Sequence, residues 1–115
     1  MHELSIALSI IDGVVEEARR EGLSRIEKVH LRIGRLSGVD KEALRFSYDI
    51  AAEDTPLAGT QLVIEDVDVV IECPTCRAER SVQQLPLLAC PECGAAPERV
   101  VCGDELEISG LELAA

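Results

Sequence analysis

A chain of 115 residues supports one ordinary domain, or a domain with a small satellite. It is 47% hydrophobic and only 2% aromatic, so its core is mostly aliphatic. The formal charge of −11 argues against nucleic acid, because duplex affinity comes mainly from neutralising phosphates with Lys and Arg; it favours cations and basic protein surfaces instead. No apolar run reaches the roughly 18 residues of a membrane span. Met1-His2-Glu3-Leu4 lacks the basic start of a signal peptide, which points to a reducing cytoplasm.

The first three residues place an α-amine, an imidazole and a carboxylate together. The amine, the His2 main-chain nitrogen and His2 Nδ1 can form adjoining chelate rings, a nitrogen-rich planar set that suits Ni(II) or Cu(II). On composition alone His2 is incidental, and Glu3 reads equally well as an acid in the first turn of a helix. That helix follows at once. Leu4, Ala7, Leu8, Ile11, Val14, Val15 and Ala18 form its apolar stripe, and Gly22 ends it after Arg19 and Arg20. Val29, Leu31 and Ile33 then alternate with Lys28, His30 and Arg32, a half-buried strand stopped by Gly34. His30, on the polar phase, reads as solvated or salt-bridged, with metal ligation the lesser alternative.

Ser37-Gly38 marks a turn, and Asp40 is a candidate N-cap for a second helix running to about Glu53. Its inner stripe is expected to hold Ala43, Leu44, Phe46, Ser47, Ile50 and Ala51. Residues 60–72 are β-rich, but Leu62 and Ile64 share one phase while Val67, Val69 and Ile71 share the other. A bulge or bend near Glu65-Asp66 is therefore expected. Residues 100–113 are β-rich again, with a phase slip at Ser109-Gly110.

Between these strands lie Cys73-Pro74-Thr75-Cys76 and Cys90-Pro91-Glu92-Cys93, two knuckles 13 residues apart. Four thiols so spaced can converge on one tetrahedral ion, a strong signal for structural zinc. Two disulfides, a redox dithiol and a rubredoxin-like iron site are the alternatives. Gly94 follows the second knuckle and permits a positive φ; Arg77 holds the matching place in the first. Cys102 has no partner in the pattern and reads as a small apolar side chain. With four thiolates and Zn(II) counted, the net charge moves from −11 to about −13.

The expected architecture is α+β: two helices on a roughly three-stranded, mainly antiparallel sheet from residues near 26–34, 60–72 and 100–113. A small zinc module, residues 73–98, sits at a hairpin tip, and the main domain is residues 1–72 plus 99–115. A module of about 26 residues needs a staple, and zinc supplies one.

Met1-His2-Glu3-Leu4-Ser5-Ile6, the Gly34-Arg35-Leu36-Ser37-Gly38-Val39 turn and the paired Cys-Pro-x-Cys knuckles together resemble the HypA/HybF family of hydrogenase nickel-incorporation proteins. The resemblance runs the length of the chain in motif order. It implies a nickel-binding α+β domain carrying a zinc module. It makes His2 the nickel ligand, with Met1 and Glu3 as contributors of main-chain nitrogen, Asp40 as an additional or orienting group, and Cys73, Cys76, Cys90 and Cys93 as zinc ligands. It further implies a non-enzymatic metallochaperone that transfers Ni(II), with a HypB-type GTPase and the large subunit of [NiFe] hydrogenase as partners and urease as a second client. Arg77, Leu88-Ala89 and Cys102 depart from an idealised family pattern. A zinc-ribbon adaptor that binds a protein partner without moving metal is the alternative. Either a monomer or a homodimer, including a strand-swapped one, is compatible with the chain.

Overall fold

The computed structural model describes residues 2–115; the α-amine of Met1 as a nickel donor lies outside them. The elements run α1 (Glu3–Glu21), β1 (Ile26–Gly34), a 3-10 turn (Arg35–Ser37), α2 (Lys41–Ala52), β2 (Gln61–Val67), β3 (Val69–Cys73), β4 (Ala78–Val82), β5 (Arg99–Cys102) and β6 (Leu106–Leu113). Two three-stranded sheets form, ordered β2-β1-β6 and β4-β3-β5. The α+β class holds, with two small sheets in place of one. The chain separates into two compact units: Met1–Leu31, Gly38–Glu65 and Ile108–Ala115 in the first, Arg32–Ser37 and Asp66–Glu107 in the second. The second encloses the 73–98 segment and the strands flanking it.

In the first unit α1 and α2 pack together. Gly22 closes α1 with φ 67, its N–H and that of Leu23 reaching back to Arg19 and Ala18 carbonyls. The buried stripe of α1 is Ile6, Ala7, Ile10, Ile11 and Val14, whereas Leu4 and Leu8 are exposed. Its apolar arc is wider than one stripe, and the core takes the Ile6–Ile10 side. A similar correction applies to α2. Leu44, Tyr48 and Ala52 are buried one turn apart, while Phe46 and Ile50 face outward. Tyr48 is drawn inward because its hydroxyl has a buried partner: it lies 2.6 Å from Thr60 Oγ1. Thr60 in turn donates to the Leu57 carbonyl at 2.6 Å, so the phenol is the donor in the pair.

The phase conflict across 60–72 is resolved by leaving the sheet. β2 ends at Val67, Asp68 interrupts the ladder, and β3 begins a different sheet in which Val69, Ile71 and Cys73 are buried. The break thus falls at Asp68 and not at Glu65-Asp66. Arg32 donates to Glu107 and His30 bonds Glu112, while the backbone bonds from Gly34 N–H to the Glu105 carbonyl and from Ala114 N–H to the Arg25 carbonyl lie nine residues apart on both strands, so the slip expected at Ser109-Gly110 inserts no net residue.

In the second unit β3 is central, antiparallel to β4 (Val69↔Val82 to Cys73↔Ala78) and to β5 (Val70↔Cys102 to Glu72↔Arg99). The β3–β5 pairing is the hairpin expected around the cysteines. β4 was not anticipated, because Ala78-Glu79-Arg80-Ser81-Val82 has too few apolar residues to read as a strand and buries only Val82. Gly34 makes the tightest backbone approach here: a Cβ on it would lie 2.0 Å from the Gly103 carbonyl oxygen. Gly103 has φ +115, and its own Cβ would lie 2.7 Å from Val69 Cα.

Candidate metal centres

The first knuckle is the β3–β4 turn. Cys73 ends β3 with its sulfur facing the core, and the Cys76 N–H donates to Cys73 Sγ at 3.3 Å. Arg77 closes the turn at φ 52, its N–H donating to the Cys73 carbonyl at 2.9 Å. In the second knuckle Gly94 takes the same role at φ 76, donating to the Cys90 carbonyl at 2.9 Å. The two halves are thus alike in backbone, with arginine bearing in one a conformation that glycine bears freely in the other. Val69, Ile71, Cys73, Val82 and Cys90 form the core beneath them, with Leu36, Leu85, Leu88 and Val100 packed against it.

All four sulfurs lie within 4.8 Å of one another, with Cys73–Cys93 at 3.5 Å and Cys76–Cys90 at 3.9 Å. These separations are too long for disulfides, and all five cysteines are free thiols. A tetrahedron with metal–sulfur bonds of about 2.3 Å has sulfur–sulfur edges of roughly 3.8 Å, so the four thiols fit a zinc-sized ion. Their ionisation tells the same story. The Cys93 N–H, helped by that of Glu92, brings the Cys90 thiol down to about 6 against the cost of burial. At Cys93 the Ala95 N–H favours the thiolate, but the sulfurs of Cys73, Cys76 and Cys90, together with burial, push it up to about 12. Crowded thiols resist full ionisation, and a divalent cation relieves that conflict.

Arg80 was not singled out from sequence. The Cys76 sulfur and, more weakly, the Cys90 sulfur accept from its guanidinium, so the arginine holds its proton more firmly than usual. Its Nε is buried with no hydrogen-bond partner among the described residues. Were Zn(II) held by the four thiolates, net −2, this positive charge would offset part of the excess. Cys102 stands apart, partly buried on β5 opposite Val70, its thiol donating to the Asp68 carbonyl at 3.5 Å.

The amino-terminal candidates are arranged differently. His2 is exposed and is the N-cap residue of α1, its carbonyl accepting from the Ile6 N–H at 3.2 Å; its ring makes no capping bond. The Glu3 carboxylate accepts from the Asp40 N–H at 3.2 Å. The Asp40 carboxylate accepts from the Ala43 N–H at 3.2 Å, the cap expected of it. The starts of the two helices therefore meet, a link between residues 37 apart that no local pattern signals. Among the described residues the four cysteines are the group of His, Cys, Asp and Glu ligand atoms that converges; His2, Glu3 and Asp40 do not form such a set. His30 is hydrogen-bonded to Glu112, the salt-bridged reading, and this bond holds the Glu112 carboxyl below its usual range.

An α+β unit and a four-thiol unit of this geometry define a small metal-binding protein. A family model described as hydrogenase/urease nickel incorporation, metallochaperone, HypA matches residues 1–113. The chain is 51% identical over 112 residues to the hydrogenase maturation factor HypA of Chloroflexus aurantiacus, covering 97% of this chain and 98% of that protein. With the HypA of Chlorobium limicola it shares 44% over 113 residues, 98% and 97% of the two chains. The solution structure of the nickel metallochaperone HypA from Helicobacter pylori superposes with a TM-score of 0.69 at 28% identity, covering 100% of this chain and 99% of that one. A second HypA solution structure gives 0.72 at 27%, covering 99% and 97%. The chain belongs to the HypA family.

Proposed function

We propose that this protein is a nickel metallochaperone that carries Ni(II) on its amino terminus and delivers it during maturation of [NiFe] hydrogenase. The whole-length match to a family described by nickel incorporation carries this reading. His2 is the ligand whose side chain specifies the site. It is exposed and uncommitted to capping, so its ring nitrogen is available to an ion. The Met1 amine and the first main-chain nitrogens complete a planar set. Glu3 and Asp40 contribute through position: the Glu3 carboxylate ties the start of α1 to the start of α2, which leaves His2 projecting beside a fixed helix end.

The domain division follows the same reading: an α+β part for nickel, residues 1–72 plus 99–115, and a zinc module, residues 73–98. Zn(II) is held by Cys73, Cys76, Cys90 and Cys93 and supplies structural cross-linking with no open coordination position. The contrast between the centres is what a carrier needs. Nitrogen donors at a chain end exchange readily, whereas four thiolates set into a core retain their ion. The protein is a carrier and not a catalyst. It acts in a reducing compartment, the cytoplasm, with a HypB-type GTPase and the hydrogenase large subunit as partners and urease as a further client.

Metal analysis and nickel titration of the untagged protein test this directly. His2→Ala is expected to abolish specific nickel uptake and hydrogenase maturation while zinc content and fold persist. Residues added ahead of Met1 weaken nickel binding by blocking the amine. Titrations unchanged in both proteins would remove the proposed site.

A further inference from the structure

Four large apolar side chains of the first unit remain outside its core: Leu4 (50% exposed) and Leu8 (47%) on α1, Phe46 (69%) and Ile50 (51%) on α2. Each pair is spaced i, i+4, so each forms a short ridge on its helix. Both ridges lie on the outer surface of the helix pair, the α2 ridge standing higher than the α1 ridge. The helices run parallel, because Glu3 at the start of α1 bonds Asp40 at the start of α2, while Ile11 and Val15 line a surface hollow with Asp54, Thr55 and Pro56 just beyond the end of α2. Gly13 turns one edge of α1 toward Ile108 of β6, so Leu4 and Leu8, on the other edge of its buried arc, lie toward α2. Arg45 donates to the Leu62 carbonyl of β2 at 2.6 Å, so that edge of α2 faces β2; the half-buried Ala43, Ser47 and Ala51 lie on the opposite edge, and Phe46 and Ile50 stand above them on the outward face, Ile50 the nearer to that edge. At 1.5 Å rise per residue the apolar floor extends about 13 Å along the helix axes, roughly two and a half turns.

The banks of this floor are acidic. On α1 the outward position next to the ridge is Asp12; on α2 they are Glu42, Asp49 and Glu53, all exposed. Arg19 and Glu16 pair with each other at 3.1 Å and cancel, so neither adds to the banks. We infer that the outer groove between α1 and α2 docks an amphipathic segment of a partner protein whose apolar anchors are flanked by Lys and Arg. Charge selects this occupant over a second copy of the chain, since two such grooves meeting would oppose like-charged banks on a protein already at −11. The groove matches the helix-in-groove mode, in which anchors at i, i+3 or i+4 and i+7 fill an apolar trough. The inference does not depend on the nickel assignment, because none of these side chains is a proposed ligand.

A fluorescent 18-residue Leu/Lys amphipathic helical peptide serves as the probe, against its Leu/Glu counterpart and a Leu/Lys peptide of scrambled periodicity. Anisotropy titrations are expected to show the Leu/Lys peptide binding at least ten-fold tighter than either control, with affinity falling as salt rises. The double variant Leu8→Ser, Phe46→Ser, checked for unchanged circular dichroism and zinc content, is expected to lose at least ten-fold of that affinity. A charge variant, Asp49→Asn with Glu53→Gln, keeps the apolar floor and reports the banks alone, with a smaller loss and a weaker salt dependence. Equal binding of wild type and the double variant, or no preference for correct periodicity, overturns the proposal. So does sedimentation equilibrium showing a wild-type dimer that the double variant breaks, which would assign the groove to a second copy.

Discussion

Cys90 and Cys93 feel the same crowding of four sulfurs and answer it in opposite directions, one down to about 6 and the other up to about 12. At neutral pH, therefore, Cys90 meets a metal as thiolate and Cys93 must give up its proton to bind. Zinc uptake at pH 7 is expected to release protons, and affinity falls as pH falls. Below about 6 Cys90 also becomes protonated, and the dependence of log affinity on pH steepens by about one. Competition with a zinc-sensitive dye between pH 5 and 8 measures both. The convergence of the four thiols was legible because Cys-x-x-Cys spacing is local; Arg80 was not, because only the β3–β4 register brings it to Cys76 and Cys90. At Tyr48, removal of the hydroxyl in Tyr48→Phe leaves Thr60 Oγ1 without its donor and is expected to cost about 1 kcal/mol, read in denaturant unfolding.

Among the elements, both helices and their ends could be read from the chain, and their orientation could not. Gly22 and Asp40 are end signals whose chemistry is local, and both act as expected. Which edge of a broad apolar arc turns inward depends on the neighbour, and the groove side chains Leu4, Leu8, Phe46 and Ile50 were assigned to the core for that reason. The 60–72 segment shows a similar limit. Its phase conflict announced an interruption, but one strand with a bulge and two strands in separate sheets place the same demand on local pattern. Two substitutions probe the elements. Asp40→Ala removes the cap on Ala43 and is expected to cost about 1 kcal/mol. Gly34→Ala drives a methyl into the Gly103 carbonyl and is expected to cost about 3 kcal/mol or more, with loss of the β3–β5 amide protection in hydrogen exchange.

For the molecule as a whole, the two compact units depend on different forces. The first is held by an aliphatic core around Ile6, Ile10, Val14, Leu44 and Tyr48. The second has a core of only five buried residues, two of them cysteines, too little to order residues 66–107 alone. Structural zinc contributes about 10–16 kcal/mol in comparable small modules. Stripping the metal with a strong chelator is therefore expected to abolish exchange protection in β3, β4 and β5 while α1 and α2 keep theirs, so helical circular dichroism changes little. Acidity and the four-thiol pattern were visible at this scale from composition and spacing. The division of the β-rich segments between units was not, since it rests on pairings more than 25 residues apart.

The sulfur knot is not evenly shielded: Cys73 and Cys90 are buried, Cys76 is half-buried, and Cys93 alone meets water freely. An incoming thiol or oxidant has one doorway. Loosening would begin at that corner and work inward, so Cys93→Ser should quicken zinc exchange with an external chelator while the inner sulfurs still grip, whereas Cys73→Ser collapses the grip at once.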